Sequence, residues 1–137
     1  MKNALRLGVV LFFLGLAVQA CAYGAGDMSK KASALDKLTR KVDSYQAEFG
    51  VTPGMSVQDL LYAAAGQDSE LLRTLGKDQV HVTFISGNAV LLLCTGDGRH
   101  ALLENSACTP RFDRQLWRDE PGAPCRFTIT RENVCDN

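Results

Sequence analysis

The sequence lacks the short motifs that mark the common catalytic and metal-binding sites. It contains no C-x-x-C pair, no G-x-S-x-G nucleophile elbow and no H-E-x-x-H zinc motif. The chain has only two histidines, His81 and His100, that are available as imidazole bases. We therefore predict no catalytic residue, no metal and no cofactor. The alternative is a small hydrolase with a site near His81 and His100.

The sequence also lacks an excess of positive charge and a long apolar run. Its 15 basic and 15 acidic residues balance to a net charge of 0. A nucleic-acid-binding protein needs a basic surface, so nucleic acid is not an expected partner. The apolar run at residues 7–18 has twelve residues, fewer than the roughly 20 that a membrane-spanning helix requires.

The first 20 residues have the layout of a secretory signal peptide. Lys2 and Arg6 precede the apolar run, and small residues follow it, which is the order of regions in such signals. Removing these two residues with the leader leaves 13 of the 15 basic residues against all 15 acidic ones, a net charge of −2. We therefore predict an exported chain with a signal peptide at residues 1–20.

The end of this leader carries a recognisable motif. Val18-Gln19-Ala20-Cys21 resembles a bacterial lipobox. The resemblance implies cleavage before Cys21, diacylglycerol on its sulfur and a fatty acyl chain such as palmitate on its new amino group. Since Ala22 and not Asp follows, it also implies a periplasm-facing anchor in the outer membrane. Alternatively, cleavage after Ala22 at an A-x-A site would give a soluble periplasmic or secreted protein.

Four cysteines remain once Cys21 is lipidated or removed: Cys94, Cys108, Cys125 and Cys135. In an oxidising compartment an even set of cysteines indicates disulfides, here two. Zinc is disfavoured because the spacings do not match common zinc modules. Three pairings are possible. We favour Cys94–Cys108 with Cys125–Cys135 because these pairs close short local loops.

Hydrophobic periodicity predicts helices in the first half of the exported chain. Residues 21–28 are small and Gly-containing, which is typical of a flexible tether, and residues 29–137 are predicted to form one domain. A helix over 29–49 carries apolar residues at steps of three and four. Packing of this stripe on its own domain is favoured, and a homo-oligomer through residues 35–49 is the alternative. Ser56 and Asp59 resemble a capping box that begins a second helix. A third short helix precedes Gly76.

From Gln79 onward the pattern changes to that of strands. Residues 79–104 predict an antiparallel meander of three strands, of which the unbroken apolar run 89–94 is buried on both faces. A helix is predicted over 109–117, with Pro110 at its first helical position. A fourth strand is predicted over 125–130. The predicted fold class is α+β, with N-terminal helices followed by a small antiparallel sheet with an inserted helix, stabilised by disulfides.

The inserted helix supplies the candidate binding surface. On a helix Arg111, Arg114 and Arg118 share one face, with Trp117 beside them. Arg and Trp are enriched at the centres of protein interfaces. A solvated face with Trp117 packed inside is the favoured interpretation of this helix, and the binding surface is the alternative. The favoured function is a non-enzymatic lipoprotein that binds an envelope protein, of the inhibitor, immunity or assembly-accessory type. A structural, membrane-anchored oligomer is a further alternative.

Overall fold

The computed structural model describes the backbone of residues 2–108, 113–118 and 122–135. It describes the side chains of the same residues except those of 2–25 and 113–115. The described chain divides into two compact units, Met1–Lys30 and Lys31–Asn137. The first unit is helical throughout its described backbone. The second unit holds the sheet and both disulfides.

The first helix, α1 (Lys2–Phe49), begins well before the predicted start at residue 29. Residues 21–28, predicted to be a flexible tether, are helical. No proline occurs before Pro53, so nothing in this stretch removes a backbone donor from the helix. The side chain of the predicted lipidation site, Cys21, lies outside the description. Among the described residues, no helix is both long enough and apolar enough to cross a membrane.

The apolar stripe on the later part of α1 is confirmed as a core face. Leu35, Leu38 and Val42 have no exposed surface. A second copy therefore has no access to these three side chains while the domain is folded. The end of the stripe is not buried in this way, because Phe49 is 66% exposed. Its ring is tilted against that of Tyr45, with the ring centroids 5.1 Å apart.

Two short helices follow, α2 (Val57–Ala65) and α3 (Ser69–Leu75). The predicted capping residues begin α2, because the Asp59 backbone N–H donates to Ser56 Oγ at 3.1 Å. The Ser56 hydroxyl in turn donates to the Asp59 carboxylate at 2.7 Å. Gly66 and Gly76 end the two helices with positive φ angles, a conformation that glycine adopts without strain.

Four antiparallel strands form one sheet in the order β1-β2-β3-β4. The strands are β1 (Gln79–Ile85), β2 (Asn88–Cys94), β3 (Ala101–Ser106) and β4 (Asp113–Gln115). The first three confirm the predicted meander. Ser86 and Gly87 both have positive φ angles and make the two-residue turn between β1 and β2.

In the next turn, hydrogen bonds from the Thr95 hydroxyl and the Arg99 backbone N–H hold the pKa of Asp97 below its ordinary value of 3.8.

Strand β2 is buried on both faces, as predicted. Every residue from Ala89 to Cys94 is at most 1% exposed. Val90 and Leu92 pack against the C-terminal segment, where Phe127 and Ile129 contribute to their clusters. Alternate β2 side chains point to the opposite face. On that face the side-chain amide of Asn105, the β3 partner of Leu91, donates to the Asp36 carboxylate of α1 at 3.0 Å. The sheet thus lies between residues 31–49 of α1 and the C-terminal segment.

Two sequence predictions near the C-terminus are wrong. Where residues 113–117 were predicted to be helical, Asp113–Gln115 pair with β3 as strand β4. Helical structure in the described part of this insertion is limited to one 3₁₀ turn, Leu116–Arg118. Residues 109–112 lie outside the description. Residues 125–130 do not form a strand, and Cys125 lies beside an isolated bridge between His100 and Pro124.

The side chain of Glu104 explains why residues 125–130 remain irregular. Glu104 is fully buried on β3. Its Oε1 accepts the backbone N–H groups of Thr128 and Ile129 at 2.8 and 2.9 Å, and its Oε2 accepts the Thr128 hydroxyl at 2.5 Å. The carboxylate therefore takes the donors that a neighbouring strand would otherwise have used.

The two disulfides are confirmed, but the favoured pairing is wrong. The bonds join Cys94 to Cys125 and Cys108 to Cys135, across 31 and 27 residues of sequence. Each one fastens the C-terminal segment to the sheet or to the end of β3. The local pairs fail because the C-terminal segment folds back across the sheet, which sequence spacing does not reveal.

A tryptic digest without reduction tests this pairing directly. Because arginines separate all four cysteines in sequence, each cysteine falls in its own peptide. We expect peptide 78–99 to be linked to 119–126, and peptide 100–111 to be linked to 132–137. Mass spectrometry identifies both species, and reduction should remove them. Finding 78–99 linked to 100–111 would instead support the local pairing.

Candidate functional site: the β1 edge and its groove

Strand β1 is one edge of the sheet, and its outer side is unpaired in the described structure. The two-residue turn makes Ile85 and Asn88 a hydrogen-bonded pair, so odd-numbered residues of β1 bond to β2. A second hydrogen bond supports this assignment. The Ala107 N–H donates to the Ala89 carbonyl oxygen, so odd-numbered residues of β2 bond towards β3 and even-numbered ones towards β1. The backbone groups of Val80, Val82 and Phe84 consequently point away from the sheet.

This edge has none of the usual features that prevent strand pairing. Natural edge strands are kept from pairing with other chains by charged residues, proline, bulges or short length. Strand β1, with sequence QVHVTFI, has seven residues and contains no Lys, Arg, Asp, Glu or Pro. The other edge, β4, has only three residues. The long edge is therefore the one open to another strand.

A groove of about 520 Å³ lies beside the start of β1, where α2, α3 and the strand converge. We call it the β1 groove. It is lined by Gln58, Leu61, Tyr62, Leu72, Leu75, Gly76, Lys77, Asp78, Gln79, Val80 and His81. Leu61 and Leu75 are buried, whereas Tyr62 is 63% exposed. The groove thus combines an apolar floor with an accessible aromatic ring.

One charged side chain that lines the groove has an ion-pair partner, and another has none among the described residues. Lys31 Nζ contacts the Asp78 carboxylate at 2.8 Å, and both side chains are less than one fifth exposed. Lys77 is exposed, and no ion pair to it is found within the described residues. The groove therefore presents one uncompensated positive charge beside the free edge, which favours an acidic group on a ligand.

The two histidines make separate contacts. His100 is exposed, and its Nδ1 lies 3.2 Å from the Gly122 carbonyl oxygen. His81 is on β1, and its buried Nε2 has no hydrogen-bond partner in the described structure, where His100 is included, so this atom does not bond to His100. In the part of the chain that the structure describes, neither of these two histidine contacts joins the imidazole to a carboxylate or a hydroxyl.

His81 instead lies beside the disulfide of Cys94 and Cys125. A ligand atom of each of these three residues lies within 4.8 Å of the other two. While the disulfide is intact, its sulfurs are not thiolates and are poor metal ligands. In this oxidised form the cluster packs in the core, where Cys94 has no exposed surface.

The helix that was predicted to carry the arginine surface does not form over residues 113–118. Its helical face does not form, because Arg114 is in β4 and only Trp117 and Arg118 are in the 3₁₀ turn. Arg111 and the side chain of Arg114 lie outside the description. The Arg118 guanidinium lies 5.1 Å from the centre of the Trp117 ring, a cation–π contact. The Trp117 Nε1 is buried, and no hydrogen-bond partner for it is found within the described part of the chain.

The sequence analysis missed the β1 groove. The local elements were predicted, but nothing in the sequence told which strand would be at the edge of the sheet. The uncharged stretch QVHVTFI was the available signal, but it was ambiguous. A strand buried between two neighbouring strands lacks charge, and so does an unprotected edge strand.

No protein-family model matches the chain, and no curated protein and no solved structure is significantly similar to it.

Proposed function

We propose that this chain is a non-enzymatic protein-binding module of the bacterial cell envelope. The observation that carries the proposal is the long, uncharged and unpaired edge of β1 beside the β1 groove. An exposed strand edge binds an extended segment of another protein by main-chain hydrogen bonds, and adjacent pockets select its side chains. The partner segment adds a fifth strand next to β1.

The groove defines the chemistry of that segment. Leu61, Leu72 and Leu75 offer an apolar surface for one aliphatic or aromatic side chain of the ligand. Lys77 favours an acidic residue close to it. The occupant is therefore an extended segment in which an apolar residue lies near an acidic one. Inhibitors, immunity proteins and assembly accessories all require such a contact with a partner protein.

The cellular address rests on the leader. The lipobox-like residues before Cys21 support a lipid anchor at Cys21, and Ala22 supports the outer membrane, with the folded domain facing the periplasm. The two disulfides agree with an oxidising compartment. Soluble periplasmic or secreted protein remains the alternative if cleavage follows Ala22.

A peptide-display selection on the immobilised full chain tests the binding function. We expect enriched peptides that combine apolar and acidic residues. Their affinity should fall about tenfold in Val82→Pro, because proline removes the outward N–H without removing a bond to β2. Val82→Thr keeps that N–H and is the matched control.

Tyr62→Ala and Lys77→Glu should also weaken binding. On binding, the amides of Val80, Val82 and Phe84 should become protected from hydrogen exchange.

Two results would overturn the proposal. One is that no peptide is enriched, or that enriched peptides bind Val82→Pro as well as Val82→Thr. The other is that binding falls in Trp117→Ala and Arg118→Ala but not in the β1 variants. That outcome would place the interface at the Trp117–Arg118 surface.

A further inference from the structure

The corner formed by His81, Cys94 and Cys125 differs from the second disulfide in its surroundings. His81 is directly opposite Leu92 on β2, two residues before Cys94, so the imidazole and the Cys94 sulfur are diagonal neighbours on one face of the sheet. The three ligand atoms already lie within 4.8 Å of one another. No comparable group that includes Cys108 or Cys135 is found among the described residues.

The imidazole is not accounted for by the oxidised fold. His81 Nε2 is buried and has no hydrogen-bond partner among the described residues, although buried nitrogen atoms are almost always satisfied by a partner. Two thiolates and one imidazole nitrogen are a ligand set that zinc binds tetrahedrally, with a fourth position left to water. In such a site neighbouring sulfurs are about 3.8 Å apart, given Zn–S bonds of about 2.3 Å. The two sulfurs are joined to each other in the disulfide, so reduction must precede metal binding.

We propose that reduction of the Cys94–Cys125 disulfide converts this corner into a binding site for Zn²⁺. A dithiol reductant supplies two electrons and two protons, becomes a cyclic disulfide, and leaves a thiol on each cysteine. Zn²⁺ then binds both sulfurs with release of two protons to solvent, and His81 supplies its neutral nitrogen as the third ligand. The metal joins β1, β2 and the C-terminal segment, whereas the disulfide joins only the last two. This inference does not depend on the proposed binding function.

Cobalt(II) binding to the full chain, reduced with a phosphine, tests the site. Sulfur-to-cobalt charge-transfer absorption reports thiolate ligation, and tetrahedral d–d bands report geometry. The variant Cys108→Ala/Cys135→Ala keeps the corner and should bind one Co²⁺ per chain, which Zn²⁺ displaces. The variant Cys94→Ala/Cys125→Ala should lose these bands, and His81→Asn should bind more weakly with altered d–d bands. Cys21 is present in all variants and cancels from the comparison.

A stability measurement covers the case in which reduction unfolds the chain. Circular dichroism should then show that Zn²⁺ restores the folded spectrum of Cys108→Ala/Cys135→Ala, because the metal binds the native arrangement and stabilises it by mass action. The proposal is wrong if Zn²⁺ leaves both the spectrum and the melting temperature of this variant unchanged. It is equally wrong if His81→Asn binds Co²⁺ with the affinity and spectrum of the unmodified chain.

Discussion

Replacing Glu104 with Ala is expected to lower the free energy of unfolding by about 2–6 kcal/mol, since one part-buried and one buried backbone donor each lose their acceptor at a cost of about 1–3 kcal/mol. Glu104 is fully buried, and its Oε1 is the acceptor for the N–H groups of Thr128 and Ile129. Ile129 is itself only 3% exposed, so water does not readily replace the lost acceptor. Urea-induced unfolding at fixed pH with intact disulfides measures the effect.

A conservative variant separates hydrogen bonding from charge at this position. In Glu104→Gln the amide oxygen can still accept both backbone N–H groups, and the amide nitrogen can donate to the Thr128 hydroxyl after that hydroxyl rotates. We expect a loss of only about 1 kcal/mol, the difference between a charged and a neutral acceptor. Glu48→Ala, at an exposed position of α1, is the surface control. Equal losses in Glu104→Gln and Glu104→Ala would show that the negative charge, and not the set of acceptors, holds the segment.

Replacing Leu92 with Ala is expected to cost about 2–5 kcal/mol, because it removes three buried carbon atoms and leaves a cavity between two packed layers. Leu92 is 1% exposed and lies in one cluster with Cys94, Ala101 and Leu116, against which Phe127 packs. A domain of this size is usually stable by about 5–15 kcal/mol, so this one change removes a large part of the total. Denaturant unfolding with intact disulfides measures it.

Leu72→Ala is the matched control for Leu92→Ala. Leu72 is only part-buried and lines the β1 groove, where truncation opens to solvent and leaves no closed cavity. We expect a loss of about 1 kcal/mol in stability. If Leu72→Ala proved as destabilising as Leu92→Ala, the groove would be part of the core and not a surface open to a ligand.

Much of the local structure was predictable, because it depends on neighbours in sequence. The apolar stripe of α1, the Ser56 cap of α2 and the glycines that end the short helices are all set within a few residues. The turn at Ser86-Gly87 and the apolar run of β2 likewise predict a buried hairpin. These features gave the α+β class and the order of the elements up to the end of β3, and the structure confirms both.

Predictions that depended on distant partners failed or were out of reach. The segment 113–117 contains good helix formers, yet Asp113–Gln115 pair with β3, because strand pairing outweighs weak local preference. The alternating residues 125–130 resemble a strand, but Glu104 binds the backbone donors of Thr128 and Ile129. Local spacing favoured short disulfide loops, whereas the C-terminal segment crosses the sheet and brings Cys125 to Cys94.

The candidate sites divide in the same way. By itself the sequence determined the lipobox-like residues 18–21, the number of cysteines and the absence of common catalytic motifs. The tertiary structure alone decided that β1 is the open edge of the sheet and that the β1 groove lies beside it. It also decided that the His81 imidazole lies within 4.8 Å of the Cys94–Cys125 sulfurs. Strand order, disulfide pairing and side-chain convergence join residues far apart in sequence, and only the packing of the whole domain brings those residues together.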